Sequence, residues 1–467
     1  MEGPVRQAIW QGLIAEPETG VIVLARDGRV LYCNDQAVTI FRPDSDDTAA
    51  DVIGRTMSEI LPADYVRDRM AALQRIAADG VSRILRTVWR GRQIVSWVHY
   101  IPPQPGEEDG GRFLSITRYH SGSIDDLLTG DDPPEMIPSS INELGPLDVL
   151  STRELEVLAM LGNGLDSAAI ARRLHRSRST IESHRNAIAA KLDASDRATL
   201  IDIAQRAGLT LDDARRARTT FDPTMPPTIE IDRETTQASL REAPPTFDLS
   251  MLVSDPTVGV SVMTENGDVI YCNEQLARLH ASPEMSSASR FIGRNIREWT
   301  VPSRVEQRLK LFRDITADGK PRLERGLWRG RQQVMWYYAL GPEPAADDDA
   351  EVPRILILTR VVSGQIDLPG ASPDQFEVAE STTGDLGPLA ALTPREIEVL
   401  ALIGTGKTVS EIASIRGRSI KTVEHHRTAL GRKLGKVRRP ELIRFAYQAG
   451  LTLRDAQVER VDPAESR

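Results

Sequence analysis

Two cysteines, Cys33 and Cys272, are all that 467 residues contain, too few for a disulfide framework and without the paired spacing of a zinc site. No apolar run approaches the ~18 residues that a membrane-spanning helix needs. The start Met1-Glu2-Gly3-Pro4 lacks a basic region leading into an apolar core. These absences point to a reduced, soluble chain with a cytoplasmic location. Enzyme signatures are missing as well: there is no phosphate-binding glycine loop, no His-Glu-x-x-His pair and no Gly-x-Ser-x-Gly elbow. Basic charge is short overall, with 58 Lys and Arg against 67 Asp and Glu and a net charge of -9. A uniformly basic coat is therefore excluded, and any anion-binding surface must be local.

Such surfaces occur twice. Residues 171–192 hold six basic side chains, among them Arg178, Arg185 and Lys191, against the single acid Glu182. Residues 413–434 hold six, among them Lys421, Arg427 and Lys433, against the single acid Glu424. The segments 147–218 and 389–467 carry +2 and +6, which leaves -17 on the rest of the chain. That asymmetry suits nucleic-acid modules carried by acidic domains. In the first segment Ser177 precedes a helical run with Ile181, Ile188 and Leu192 on one face and Ser183, Arg185 and Asn186 off it. One face is for packing and the other is free to touch a partner.

The chain is internally duplicated. Val30-Leu31-Tyr32-Cys33-Asn34 recurs as Val269-Ile270-Tyr271-Cys272-Asn273, and Trp89-Arg90-Gly91-Arg92-Gln93 as Trp328-Arg329-Gly330-Arg331-Gln332, both 239 residues on. From Leu114 and Leu356 the offset becomes 242, through an insertion in the Pro- and Asp-rich loop 341–353. Each repeat opens with two strand-like runs, then helical pieces, then three more strands, which predicts a five-stranded antiparallel sheet with helices, an α+β domain. Each closes with an all-α segment. Ser151-x-x-Glu154 and Thr393-x-x-Glu396 are capping boxes that start its first helix. The second and third helices form a helix-turn-helix and a fourth follows. The boundaries read as 1–120 (α+β), 121–146 (linker), 147–218 (helical), 219–248 (Pro-rich linker), 249–363 (α+β), 364–388 (linker) and 389–457 (helical).

The α+β order, with Asp27-Gly28 between the first strands and Asn34-Asp35-Gln36-Ala37 after the second, resembles a PAS sensor domain. The resemblance covers about 13–120 and 252–362. Leu-x-x-Arg-Glu-x-Glu-Val-Leu, then Ile-Ala, then Ser-x-x-Thr-[Ile/Val]-Glu-x-His-Arg and Lys-Leu resembles the LuxR-type DNA-binding domain, and it occurs in both helical segments. That second resemblance implies that the third helix enters the major groove, with Glu182, Ser183 and Asn186 in the first copy and Glu424, His425 and Thr428 in the second against base edges. Arg185, Lys191, Arg427 and Lys433 read as phosphate anchors. Arg178, Thr180, His184, Lys421, Thr422 and His426 complete the expected DNA surface, the two histidines packing the helix or bonding one phosphate. For Glu182 and Glu424 a second reading stands beside base contact, pairing with an arginine on their own helix.

Trp89, Trp97, Trp328 and Trp336 read as core or interface residues, with the lining of a ligand pocket as the second reading, and the two tryptophans of each hairpin on opposite sheet faces unless the Gly91 and Gly330 turns reset the register. Cys33 and Cys272 read as half-buried strand thiols. No cofactor is expected, since neither a flavin-linked cysteine motif nor a histidine placed for haem is recognisable. The resulting expectation is a transcriptional regulator in the order PAS, helix-turn-helix, PAS, helix-turn-helix. Its partners are double-stranded DNA, RNA polymerase and a small ligand of the sensor domains, and no membrane. Two assemblies fit, an intramolecular pseudo-dimer on an imperfect palindrome or a homodimer. The alternative function is a protein-interaction scaffold or anti-regulator whose helical modules no longer bind DNA.

Overall fold

A computed structural model describes residues 18–43, 45–103, 110–122, 134–194, 197–219, 257–280, 287–300, 302–343, 352–362, 377–405, 407–435 and 439–460, with Trp10, Leu13, Ile14, Glu16 and Ile124 besides. The 219–248 linker lies, apart from its first residue, outside the described residues. Two compact units are present, one spanning Leu13–Phe247 and one spanning Asp248–Arg467 together with Met1–Gly12.

In the first unit the strands are β1 (Gly20–Ala25), β2 (Val30–Cys33), β3 (Arg83–Trp89), β4 (Arg92–Ile101), β5 (Arg112–Tyr119) and β6 (Met136–Pro138), and the sheet order is β2-β1-β5-β4-β3-β6. The sheet has six strands where five were expected. Residues 136–138, inside the span read as linker, add a parallel edge to β3, with Ile84 opposite Met136 and Leu85 opposite Ile137. One face carries helices α1 (Asp35–Phe41), α2 (Ala49–Val52) and α3 (Ala63–Asp79). Beneath them Leu24, Val30, Leu73, Leu85, Val98 and Phe113 form a continuous buried core.

Asn34 explains the sheet-to-helix junction. Its Oδ1 accepts from Val21 N at 2.9 Å and Ala37 N at 3.0 Å, and its Nδ2 donates to Thr19 O at 2.8 Å. One side chain thus caps α1 and holds the end of β1, a pairing that an aliphatic residue could not make.

The other face of β3 meets the helical module, which comprises α4 (Thr152–Gly162), α5 (Ser167–Leu174), α6 (Arg178–Lys191) and α7 (Arg197–Ala207). Val88 joins the module's own core of Leu144, Leu147, Leu155, Leu158, Ile170, Ile181, Ile188 and Leu200. Strands β7 (Ile141–Glu143) and β8 (Ala217–Thr219) flank the module and pair in parallel, closing it at its base. The β3–β4 turn, Arg90 at φ 53° and Gly91 at φ 71°, docks on the same segment, and a Cβ on Gly91 would lie 2.9 Å from Leu144 O. The turn therefore needs glycine both for its backbone and for the close approach. In β3 Trp89 sits with the helices, its Nε1 donating to Phe41 O at 2.9 Å. Trp97 pairs with Ile84, whereas Ser96 beside it lines the helix-side cavity, so the two tryptophans occupy opposite faces.

The second unit repeats this plan. Its large sheet has the order β10-β9-β13-β12-β11-β14, from β9 (Gly259–Thr264), β10 (Val269–Cys272), β11 (Arg322–Trp328), β12 (Arg331–Glu343), β13 (Val352–Val361) and β14 (Glu377–Glu380). Helices α8 (Glu274–His280) and α9 (Pro302–Asp318) cover it. Its helical module is α10 (Pro394–Gly404), α11 (Val409–Ile415), α12 (Ile420–Leu434) and α13 (Arg439–Ala449), flanked by β15 (Thr383–Gly384) and β16 (Glu459–Arg460).

Candidate nucleic-acid interface

Helix α6 is set by both of its ends. Ser177 accepts from Thr180 N at 3.1 Å, which fixes the start, and Lys191 Nζ reaches Glu154 Oε2 at 2.7 Å. Glu154 is itself the capping-box residue of α4, with Ser151 N and Oγ both 2.8 Å from its Oε2. Its burial works against ionisation, but the Lys191 and Ser151 hydrogen bonds prevail and hold the carboxyl below its usual range. The same arrangement recurs in α12, where Ser419 accepts from Thr422 N at 3.1 Å and Lys433 Nζ meets Glu396 Oε2 at 2.7 Å. Lys191 and Lys433, expected to anchor phosphate, also tie the third helix to the first.

Arg185 is withdrawn in the same way. Its Nη1 donates to Glu182 Oε2 at 2.9 Å and to Ser167 Oγ at 3.0 Å, and its side chain is only 13% exposed. Arg427 pairs with Glu424 at 2.7 Å but stays 36% exposed. Of the two readings of the glutamates, the structure displays the pair within the helix.

What remains on the outer face is small and polar. Ser183 and Asn186 are exposed on α6, and His425 and Thr428 on α12. Two of these hydroxyls bond back to their own helix, Ser183 Oγ to Ser179 O at 3.1 Å and Thr428 Oγ1 to Glu424 O at 2.9 Å. Thr180 and Thr422 are half-buried against their capping serines, at 2.8 Å in each copy. His184 and His426 are half-buried, and the rings of His425 and His426 stand 6.4 Å apart at 67°, no shared metal site. Among the described residues no cluster of three or more His, Cys, Asp or Glu could hold a metal ion. The exposed cations near the helix start are Arg172, Arg173, Arg176 and Arg178 in the first copy and Arg418 and Lys421 in the second. All six belong to the two basic clusters read from the sequence, of which only Arg178 and Lys421 were assigned to the expected DNA surface.

A link between sensor and module, not anticipated from the sequence, is built the same way twice. Arg86 on β3 donates to Asp213 Oδ1 at 3.1 Å, to Asp213 Oδ2 at 2.8 Å, to Gly208 O at 2.7 Å and to Gln93 Oε1 at 2.5 Å. Arg325, at the equivalent place on β11, donates to Thr452 Oγ1 at 3.0 Å and lies 3.6 Å from Asp455. With its amide oriented to suit its neighbours, Gln332 accepts from Arg325 Nε at 2.7 Å and donates to Gly450 O at 3.3 Å.

Neither cysteine is poised for redox chemistry. Burial, helped by Asp35, pushes the Cys33 thiol up to about 12. Burial, helped by Glu274, does the same to Cys272.

With this geometry in place, comparison with known proteins gives a consistent class. The profile of bacterial regulatory proteins of the luxR family matches residues 148–204 and 390–446. PAS profiles match 18–128 and 257–341. The chain therefore carries two LuxR-type helix-turn-helix domains and two PAS domains, in the order PAS, helix-turn-helix, PAS, helix-turn-helix.

Among individual relatives, the oxygen regulatory protein NreC of Staphylococcus aureus strain JH9 is 39% identical over 72 residues, 15% of this chain and 33% of NreC. The same protein from strain Mu3 matches equally. The chain thus spans about a third of the length of the curated relatives it matches. Among solved structures, a Vibrio cholerae VqmA–ligand–DNA complex is 20% identical, with 47% of this chain and 91% of that one covered and a TM-score of 0.24. The PAS domain of Bordetella pertussis BvgS is 15% identical, with 24% and 82% covered and a TM-score of 0.19. Likenesses at these scores carry no argument here.

Proposed function

We propose that the chain is a DNA-binding transcriptional regulator in which the two PAS domains control the two helix-turn-helix modules. The observation that supports it best is the paired outer face. In both copies the third helix presents short polar side chains at the positions of Ser183 and Asn186, or His425 and Thr428, with exposed cations gathered at its N-terminal side. Short polar groups fit base edges and the N-terminal cations fit phosphate. The proposed DNA surface keeps all the positions named from the sequence but divides them by role. Ser183, Asn186, His425 and Thr428 read bases, and Arg178 and Lys421 hold phosphate. Thr180, Thr422, His184 and His426 set the helix surface, and Glu182, Arg185, Lys191, Glu424, Arg427 and Lys433 orient the helix through ion pairs.

Control runs through the buried link between Arg86 and Asp213 and its counterpart. A cytoplasmic location and contact with RNA polymerase belong to the same reading. Among the described residues no helix is long and apolar enough to cross a membrane.

The competing reading, a scaffold without DNA affinity, draws on the withdrawal of Arg185, Lys191, Arg427 and Lys433 into ion pairs. A mobility-shift titration of the full chain against a random duplex pool at two salt concentrations decides between them. DNA binding requires an affinity that falls as salt rises, and a scaffold gives no saturable shift at either concentration.

A further inference from the structure

The same cavity exists in both PAS domains, between the sheet and the long helix, but its lining has changed. In the first unit it has a volume of about 70 Å³ and is bounded chiefly by Ile22, Leu24, Val52, Ile60, Leu73 and Val98. Both buried cations in its lining are occupied: Arg69 Nη2 donates to Tyr65 Oη at 2.7 Å, and Arg42 donates to Asp47 Oδ2 at 2.6 Å and Ile60 O at 2.8 Å. In the second unit, 239 residues on, Ile22 becomes Ser261, Tyr65 becomes Arg304, and Arg69 becomes Arg308. Val52 and Ile60 become Phe291 and Trp299, and the volume falls to about 20 Å³.

Two polar atoms of this smaller cavity are buried without a partner among the described residues, Ser261 Oγ and Arg308 Nε. Their residues are 1% and 8% exposed. Arg308 Nη2 has only the weak acceptor Met335 Sδ at 3.4 Å. Behind it Arg304 is 2% exposed, both terminal nitrogens are without partners, and its guanidinium lies 4.7 Å from the centre of the Trp328 ring. Burial alone would disfavour the Arg308 charge, but Tyr337 and the nearby Glu324 carboxylate outweigh it, and each of the nearby carboxylates also has a donor of its own. Glu324 accepts from Tyr337 Oη at 2.5 Å, and Asp385 accepts from Gly387 N at 2.8 Å.

Buried guanidinium groups without partners are costly, and a structure tolerates them where an anion completes them. Other groups register the positive field. Burial and the charges of Arg308, Arg304 and Arg329 push His280, which lines the cavity, down to about 3. Burial and Arg308 push Arg304 down to about 10.

We infer that the second PAS domain binds a small monocarboxylate of formate or acetate size, its oxygens taken by Arg308 and Ser261 and its short apolar end by Met263, Phe291 and Ile357. The class follows from shape and charge. A planar carboxylate matches a guanidinium edge, and about 20 Å³ admits one small group where water alone needs ~10–15 Å³. A divalent anion would bring more charge than the one guanidinium among the described lining residues can neutralise, even with the Ser261 and Thr359 hydroxyls beside it. The first domain, with Ile22 in place of Ser261 and Arg69 already bonded, lacks this site. The inference deepens the sensory half of the proposed function and rests on it only for the effect on DNA.

The test is calorimetric titration of the full chain with sodium acetate and sodium formate, with sodium chloride and ethanol as controls. Saturable binding of a carboxylate alone is expected, at one site per chain. Ser261→Ala should weaken it about threefold and Arg308→Lys about tenfold or more, while Arg69→Lys in the first domain leaves it unchanged. No saturable heat up to ~20 mM, or binding that neither Ser261→Ala nor Arg308→Lys alters, overturns the inference. Ser261→Ala removes a single hydroxyl at a site where the first domain carries isoleucine, so it keeps the test open if the arginine variant fails to fold. DNA binding is scored on the same samples. Carboxylate binding without a DNA shift leaves this inference standing and removes the regulator reading, and the opposite pattern does the reverse.

Discussion

Arg86 grips both carboxylate oxygens of Asp213 from a position 127 residues earlier in the chain, with the arginine side chain 2% exposed and the aspartate side chain fully buried. The pair joins a central strand of the first sensor sheet to the last turn of the helical module. Asp213 is satisfied further by Thr210 N and Oγ1, each at 2.7 Å, and by Arg216. A buried charge with this many donors is held firmly, and removal of Arg86 leaves Asp213 with only the Thr210 donors and the partly exposed Arg216.

The first prediction follows from that asymmetry. Arg86→Met should destabilise the first unit by about 3–5 kcal/mol, because Asp213 then stays charged in a dry site. Arg86→Met combined with Asp213→Leu should recover most of the loss. Chemical denaturation of the single and double variants checks it, and equal losses in both would contradict the buried-pair account.

The second prediction separates the two copies by pH. Burial alone would raise the Asp213 carboxyl, but the Arg86 hydrogen bonds and charge, with the Thr210 donors, bring it below its ordinary value. At Asp455 burial wins over Thr452 and the more distant Arg325, and the carboxyl is raised. An unfolded aspartate titrates near ~3.9. Asp213 therefore contributes stability above that value, lost as pH falls through its lower folded value. Asp455 contributes stability below its raised folded value, and that stability is lost as pH climbs from ~3.9 through it. Hydrogen exchange read by mass, corrected for intrinsic rates, should show 451–460 gaining protection as pH is lowered from 6 towards 4, whereas 209–219 should keep its protection over that range and lose it only as pH falls below ~3.9.

The third prediction concerns DNA. Asn186→Ala should relax the preference at one base position at a cost of about 1–3 kcal/mol. Arg178→Ala should weaken all sequences alike and flatten the salt slope by about one. Arg185→Ala behaves differently from a phosphate anchor. It frees Glu182 and Ser167, so it should lower the thermal midpoint of the module while its salt slope stays close to wild type. Salt-dependent affinities of the three variants, with their melting curves, check this.

The legible parts of the fold were those written in local spacing. Ser151-x-x-Glu154 and Thr393-x-x-Glu396 mark helix starts by chemistry confined to four residues, and both boxes form. The Glu182–Arg185 pair was legible as one of two readings, since i,i+3 neighbours meet on any helix. By contrast, Met136–Pro138 is three residues in an Asp- and Pro-rich stretch, and its strand exists only because β3 offers an edge far away in sequence. Lys191 looked like any exposed lysine in a basic helix. Its partner Glu154 lies 37 residues earlier, already committed to a cap, so no local pattern linked them. The mismatches Ile22 against Ser261 and Tyr65 against Arg304 were visible in the duplication, but only packing shows that they concern the same cavity.

The last prediction is stoichiometric. LuxR-type modules, by the family resemblance, act as pairs on half-sites about one helical turn apart, a symmetry usually supplied by two identical chains. Here one chain carries both modules, each in its own compact unit with its own PAS domain. A tether of this kind replaces the concentration dependence of dimerisation with an effective concentration that reaches the millimolar range. One chain should therefore occupy one operator as a pseudo-dimer. The exposed residues proposed to read bases differ, Ser183 and Asn186 against His425 and Thr428, so the two half-sites should differ and the operator should be an imperfect palindrome. Asn186→Ala and Thr428→Ala should then relax specificity in opposite halves of the selected site. Light scattering of the protein–DNA complex should give one 51.6 kDa chain per duplex across protein concentrations. Two chains per duplex at every concentration, with both substitutions relaxing both halves alike, would establish an ordinary homodimer instead.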